Sequence, residues 1–297
     1  MTTLNTLAPG KVNLCLYVGE AREDGLHPLI SVVQPLALAD ELRLEPAPPG
    51  SRSDEIVCPG IDGPNLAARA LSTYREATGW DAPPQRLTIV KRVPVAAGMG
   101  GGSGDAAAAL RLAAHAAGRP GDPLLDAMAP ALGADVPAQV SPRRCLVTGA
   151  GEHVEPLPAP PAGLGVLVVP IDAALATSDV YREADRLGLA RPAEELEGLA
   201  RDVRAAALGG SLPGRLVRND LEAAARSLCP AIEPALAAVA EAGADRVLVS
   251  GSGPTVAGLF GGPDGGERAR AAARALRASH PRAIAAAPVG EESARVW

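Results

Sequence analysis

Between Pro94 and Leu110 the chain reads PVAAGMGGGSGDAAAAL, and no other stretch so narrows what it can fold into. An extended run, LTIVKR (Leu87–Arg92), leads in. Gly98, Gly100, Gly101, Gly102 and Gly104 then crowd around Met99 and Ser103, and Asp105 with four alanines and Leu110 leads out. A strand, a glycine loop and a helix N-terminus in that order make an anion cradle. Glycines let backbone N–H groups converge without Cβ interference, and the first helical turn adds unpaired donors and a positive end. The anion that suits such a cradle is a phosphate chain. A flexible linker is the competing reading, but linkers are not normally wedged between a β-branched strand and an alanine-rich helix.

Two familiar nucleotide loops do not describe it. A Walker-type loop needs a lysine and then Ser or Thr after its last glycine. Here Ser103 follows Gly102, and the loop holds no lysine. A dinucleotide fingerprint opens the first βαβ unit and has an acid about 20 residues on. This loop begins more than ninety residues in, and residue 125 is Leu.

With 297 residues and 47% apolar content, the chain can bury a sizeable core in one large or two modest domains. A net charge of −6 argues against a general nucleic-acid surface while leaving room for a nucleotide in a local pocket. Cys15, Cys58, Cys145 and Cys229 are scattered, without a C-x-x-C pair, and read as buried free thiols rather than metal ligands. Without a charged leader or a long unbroken apolar segment, the expectation is a soluble cytoplasmic protein.

Taken in order, Val12–Val18 alternates as a half-buried strand does, and Lys11 and Asn13, two apart, point to the same face. A lysine at a strand start is commonly a solvated edge device. Aimed into a cleft, it would instead lower an alcohol's pKa or neutralise phosphate. Asp24-Gly25 marks a turn, and His27 follows, its two ring nitrogens suited to a base edge or a phosphate. Ala39–Leu44 and Glu55–Cys58 read as strands, and a helix capped by Asn65 should run through Ala77. Leu87–Val93 is the strand feeding the glycine loop, its Lys91-Arg92 pair a solvated strand end. Helices over about Gly104–Ala117 and Pro123–Ala131 follow, then ALGADVPAQV (Ala131–Val140), where Asp135 sits as the chain changes direction. Arg143–Val147 and Val154–Leu157 pattern as a hairpin.

Pro156–Gly163, PLPAPPAG, is a stiff, donor-poor connector and sets an expected domain boundary near residue 160, dividing 1–160 from 161–297. Beyond it come a strand at Gly165–Val169, a helix capped by Thr177 or Ser178 and a helix over Ala193–Leu208. Further helices are expected from Asn219–Glu222, over Ala231–Ala242 and over Glu267–Ser279. Strands are expected at Arg246–Val249, Val256–Phe260 and Ala283–Ala287. The turn GSGPT (Gly251–Thr255) either defines a tight hairpin or closes against the first loop to shape a phosphate pocket. The pattern predicts an α+β fold, with helices on one face of a small, mostly antiparallel sheet.

Four segments, APGKVNLCLYV, PVAAGMGGGSGDAAA, ALGADVP and GSGPTVAGLF, jointly resemble the motifs of the GHMP (galactokinase, homoserine kinase, mevalonate kinase, phosphomevalonate kinase) superfamily. The triple glycine, the lysine–asparagine start and REDGLH are similar to one member family, the 4-diphosphocytidyl-2-C-methyl-D-erythritol kinases. The likeness runs essentially end to end, with NDLE at Asn219–Glu222 included. It implies a two-domain GHMP kinase fold: an N-terminal mixed α/β domain (ribosomal protein S5 domain 2-like) and a C-terminal ferredoxin-like α+β domain. It also implies ATP-dependent phosphorylation of the 2-hydroxyl of 4-diphosphocytidyl-2-C-methyl-D-erythritol, in non-mevalonate isoprenoid synthesis, with Mg²⁺, by a monomer or homodimer.

By correspondence Lys11 and Asp135 form the catalytic pair. Pro94, Val95, Ala96, Ala97, Gly98, Met99, Gly100, Gly101, Gly102, Ser103 and Gly104 wrap the ATP phosphates, Asn13 and His27 line the cytidyl side, and no protein residue is assigned as a metal ligand. The chain departs from the family at Leu26, where an aromatic stacks on cytosine, and at Met99, where leucine is usual. Ser103-Gly104 stands for paired serines, and Ala138 for a phenylalanine. Two other readings compete. A sister kinase for mevalonate, phosphomevalonate, homoserine or a sugar is disfavoured by the triple glycine and His27. A non-catalytic nucleotide-binding regulator has no chemical need for Lys11 and Asp135 together.

Overall fold

The computed structural model describes residues 3–61 and 63–297. The chain opens on two long strands, β1 (Leu4–Val18) and β2 (Leu29–Pro46), paired antiparallel along most of their length. The pairing slips twice, between Pro9 and Lys11 and between Asn13 and Cys15. Such irregularities re-aim side chains and are common beside active sites; here they bracket Lys11 and Asn13.

Ala39–Leu44 reads in the sequence as a strand of its own, yet it lies in the second half of β2, which runs unbroken through Pro35. On its far side β2 pairs with β4 (Gln85–Val90) from Glu41 to Pro46 and with β5 (Cys145–Thr148) from Ser31 to Val33. Pro35 lies between those two ladders, where the Ala287–Val289 segment takes over: the Val289 amide donates to Pro35 O at 3.0 Å and the Ala37 amide to Ala287 O at 2.9 Å. β3 (Glu55–Val57), parallel to β4, and β6 (His153–Pro156), antiparallel to β5, complete a six-stranded mixed sheet.

Helices α1 (Leu66–Thr78), α2 (Gly101–Ala116) and α3 (Leu124–Leu132) cover one face of this sheet, and α4 (Pro137–Val140) follows them. Asn65 caps α1 as expected, its Oδ1 accepting from the Ala67 amide at 2.9 Å. The alanines Ala106–Ala109 of α2 are fully buried against Leu42, Leu87, Ile89 and Tyr74, and their small side chains let helix and sheet approach closely. Met99 and Val93 lie instead in the core on the sheet's other face.

The second sheet has the order β10 (Ile284–Ala286), β7 (Gly165–Val169), β9 (Val256–Phe260), β8 (Arg246–Val249), every neighbour antiparallel. Helices α5 (Thr177–Arg186), α6 (Ala193–Leu208), α7 (Glu222–Leu228) and α8 (Ile232–Glu241) lie between β7 and β8 in the chain, and α9 (Gly265–Ala275) between β9 and β10. That is a ferredoxin-like βαββαβ order with extra helices in the first crossover. The alternation of β7 shows what its faces do. Leu167 and Val169 pack on α5, α7, α8 and α9, whereas Val166 and Val168 share a core with Val12, Tyr17 and Val32 of the first sheet. The chain end returns as well, with Trp297 and Asn5 exchanging backbone hydrogen bonds of 2.9 and 3.0 Å.

Two local expectations need correction. α2 starts at Gly101, three residues before the expected Gly104, so two loop glycines belong to its first turn and Gly100, at φ 66°, is its N-cap. Glycine's poor helix propensity is overridden by the packing of the helix that follows. Neither Thr177 nor Ser178 caps α5; Ala176 holds that position without a side-chain bond. The Thr177 hydroxyl is engaged elsewhere, 3.1 Å from Ser252 Oγ.

Candidate active site

A cleft of about 960 Å³ opens where the glycine loop, β1, α5 and the Gly251–Gly253 turn converge. Lys11 enters it from β1. Its ammonium donates to Asn13 Oδ1 at 2.9 Å and to Gly98 O at 3.2 Å and stands 3.4 Å from Asp135 Oδ2. Lys11 has three N–H donors, so two are fixed by neutral acceptors and one is left for the carboxylate. The Lys11 side chain is 5% exposed, that of Asp135 48%. The ammonium is therefore held rigidly in the wall, and the carboxylate faces the open space. Behind Lys11, Asn13 Nδ2 donates to Ser31 Oγ and Ser31 Oγ to Cys15 O, both at 2.7 Å. This buried relay fixes which way the Asn13 amide points.

The glycine loop is clamped onto β1 by the Lys11 amide, which donates to Met99 O at 2.9 Å. Gly98 adopts φ 70°, and a Cβ there would lie 2.9 Å from Gly253 O. Only glycine lets the two turns close on each other. Gly251 lies on the same junction, where a Cβ would lie 3.2 Å from Asn13 Oδ1 and 3.3 Å from Lys11 Nζ. The GSGPT turn thus closes against the first loop, held by Asn219 Nδ2 donating to Val249 O at 2.8 Å and Gly251 O at 2.7 Å. Gly102, in contrast, has nothing within 4 Å of a Cβ position. The first turn of α2 there presents bare backbone to open cleft, as phosphate binding at a helix N-terminus requires.

Lys91 corrects the expectation of a solvated strand end. Its side chain is 14% exposed, and its ammonium pairs with Asp40 and, at 2.7 Å, with Asp105 Oδ2. Asp40 Oδ1 in turn accepts from the Arg92 and Val93 amides at 2.5 and 2.8 Å. Burial lifts the Asp105 carboxyl from 3.8 to about 7 against the pull of Lys91, with Asp40 adding to the rise. Asp105 Oδ1 has no hydrogen-bond partner. The trio fastens the start of α2 to β2 beneath the loop.

At the far end His27 is buried, its Nδ1 2.8 Å from Gly19 O and its Nε2 3.4 Å from Asp185 Oδ2. The ring of Tyr181 lies 5.2 Å from the His27 ring, and burial pushes its phenol well above the usual range. Leu26 is 52% exposed at the rim. Cys58, Ile61, Pro64 and Leu66 also line the cleft.

Lys11, Asn13, His27, Asp135 and the loop from Pro94 to Ser103 all face this one cleft. Gly104 does not; it backs onto β1, with Pro9 O 3.4 Å from a Cβ position. Sequence reading missed Ser31, Tyr181 and Asp185. For Tyr181 a faint signal existed, since the chain has three tyrosines and aromatics at 2%, so each ring merits a question. Ser31 and Asp185 carry no local pattern.

Comparison with known proteins decides the family. The profile described as GHMP kinases N terminal domain matches residues 65–142, and that described as GHMP kinases C terminal matches residues 199–282. The chain belongs to the GHMP kinase family.

Among curated relatives of this GHMP kinase, 4-diphosphocytidyl-2-C-methyl-D-erythritol kinase of Anaeromyxobacter dehalogenans is 40% identical, covering 87% of this chain and 81% of that protein. The protein of that name from Methylobacterium radiotolerans is 42% identical, covering 95% and 97%. A crystal structure of 4-(cytidine 5'-diphospho)-2C-methyl-D-erythritol kinase superposes with a TM-score of 0.75 at 38% identity, covering 96% of this chain and 99% of that one. Homoserine kinase from Cytophaga hutchinsonii gives 0.73 at 19% identity over 100% and 98%, a likeness of fold alone. Within the family, then, the resemblance in sequence is to the cytidyl-polyol kinases. Family membership carries ATP-dependent phosphotransferase activity in general terms. No helix among the described residues is long and apolar enough to cross a membrane.

Proposed function

We propose that this GHMP kinase transfers the γ-phosphoryl group of ATP to the 2-hydroxyl of 4-diphosphocytidyl-2-C-methyl-D-erythritol, in non-mevalonate isoprenoid precursor synthesis. The observation that carries the reading is the placement of the Lys11–Asp135 pair. The pair stands at 3.4 Å in one cleft that is also lined by the glycine loop and by His27 and Tyr181.

Phosphoryl transfer asks for an aligned alcohol, neutralised phosphates and a place for the hydroxyl proton. Loop amides and the first turn of α2 bind the β- and γ-phosphates. The substrate hydroxyl lies against Asp135, which accepts its proton as the oxygen bonds to the γ-phosphorus and the bond to the bridging oxygen of ADP breaks. Lys11 stabilises the negative charge growing on the attacking oxygen, held in place by Asn13 and Gly98.

Among the described residues no cluster of three or more His, Cys, Asp or Glu suits a metal ion. Mg²⁺ asks for less, one or two protein oxygens with phosphates and waters, and the Ser103 hydroxyl, on the cleft wall in the first turn of α2, would be a protein oxygen open to it. Carried on the nucleotide, it would supply charge neutralisation.

Tyr181 answers the departure at Leu26. Its ring, beside His27, offers a stacking face for a base even though the rim residue is aliphatic. The test is a parallel assay of the purified protein with ATP and the cytidyl alcohol, mevalonate, phosphomevalonate, homoserine and galactose. The cytidyl alcohol should be favoured in kcat/KM by about 10²-fold or more. Equal or better turnover of any other alcohol overturns the assignment.

A further inference from the structure

Tyr181 and Asp185 are one helical turn apart on α5, so they share a face, and both line the cleft beside His27. His27 Nδ1 lies 2.8 Å from Gly19 O. A carbonyl only accepts, so this hydrogen-bond network assigns the proton to Nδ1 and leaves Nε2 of the neutral ring as an acceptor. Nε2 stands 3.4 Å from Asp185 Oδ2. Among the described residues Asp185 has no other ion-pair partner and its side chain accepts no other hydrogen bond, and it is 49% exposed. With the ring neutral, no protein N–H among the described residues is directed at the carboxylate, which lines the cleft with its lone pairs free.

Helix stability does not account for this acid. Asp185 occupies the last turn of α5, where the macrodipole disfavours negative charge. Arg186 already serves that end and pairs with Glu183 at 2.7 Å.

We propose that Asp185 is a specificity-determining residue that, with His27, forms an acceptor pair reading the exocyclic amino group of the substrate's base and rejecting a carbonyl oxygen there. The inference rests on the cytidyl reading of the site given above. Cytosine presents an amino group where uracil presents O4. A carboxylate accepts from the first and meets the second lone pair against lone pair. Stacking on Tyr181 is indifferent to that choice, because every base has a π-face. Asp185 therefore supplies discrimination while the ring supplies affinity.

The experiment compares kcat/KM of the wild-type enzyme, D185A and D185N on 4-diphosphocytidyl-2-C-methyl-D-erythritol and on its uridyl analogue, at saturating ATP. Wild type should prefer the cytidyl substrate, and D185A should reduce that preference about tenfold or more. D185N keeps the side chain's shape and can donate to O4, so uridyl activity should rise while cytidyl activity falls. An equal loss on both substrates, or an unchanged ratio in both variants, removes Asp185 from base selection while leaving the kinase assignment standing. Failure of the wild-type enzyme to phosphorylate the cytidyl substrate overturns both.

Discussion

Lys11 Nζ and Asp135 Oδ2 meet at 3.4 Å, the lysine from a buried strand and the aspartate from a turn half open to the cleft. If the two act on one oxygen as proposed, their losses should not add. D135N should cut turnover by about 10²-fold or more with ATP affinity nearly intact, and K11M should do similar damage. The double variant should be little worse than either single one. Steady-state kinetics with a separate nucleotide titration checks this, and near-wild-type turnover in D135N would remove that residue from the mechanism.

Gly98 and Gly102 belong to one loop but should respond oppositely to a methyl group. At Gly98 the backbone is left-handed at φ 70° and the second turn stands in the way, so G98A should cost about 2 kcal/mol or more of stability. At Gly102 a Cβ meets nothing within 4 Å. G102A should keep or slightly raise the melting temperature while weakening ATP about tenfold, or 1.4 kcal/mol, by filling phosphate space. Thermal unfolding beside nucleotide binding separates the two. A destabilised G102A with normal ATP affinity contradicts the cradle.

What was legible in the sequence follows from how local each signal is. Gly165–Val169 and Ala193–Leu208 were readable to the residue, because a β-branched run stopped by Pro170 and a helical run closed by Gly209-Gly210 depend on their own neighbours. The continuity of β2 was hidden, since whether Pro35 breaks a strand depends on which ladders flank it. The start of α2 at Gly101 was hidden too, because propensity argues against glycine and only the packed helix beyond argues for it. Lys11 and Asp135 were reached by resemblance. Lys91 read as solvated because its partners, Asp40 and Asp105, lie on β2 and α2, and ion pairs between elements leave no periodic trace. Ser31, Tyr181 and Asp185 acquire meaning only from what folds against them.

Tyr181 provides a separate check on the proposed cytidyl end. Replacing it with Ala should weaken the acceptor substrate by about 1–3 kcal/mol, seen as a raised KM for that substrate with the KM for ATP unchanged. Y181F keeps the ring and should stay close to wild type, because the hydroxyl is not what stacks. If Y181F matches Y181A, the phenol group matters rather than the ring face, and the stacking account fails.

Asp105 gives a pH dependence whose sign is fixed by its surroundings. One ammonium, Lys91, serves both Asp105 and Asp40, and burial lifts the Asp105 carboxyl from 3.8 to about 7. Between those values the folded chain keeps a proton that the unfolded chain has released, so stability falls as pH rises. This group's contribution is full below the unfolded value, is lost as pH climbs through about 7, and is flat beyond. The Asp105→Asn variant has no such proton, so urea midpoints of the two proteins should converge or cross as pH rises from about 5 to about 8. A constant difference across that window would mean that Asp105 is ionised throughout and that Lys91 outweighs burial.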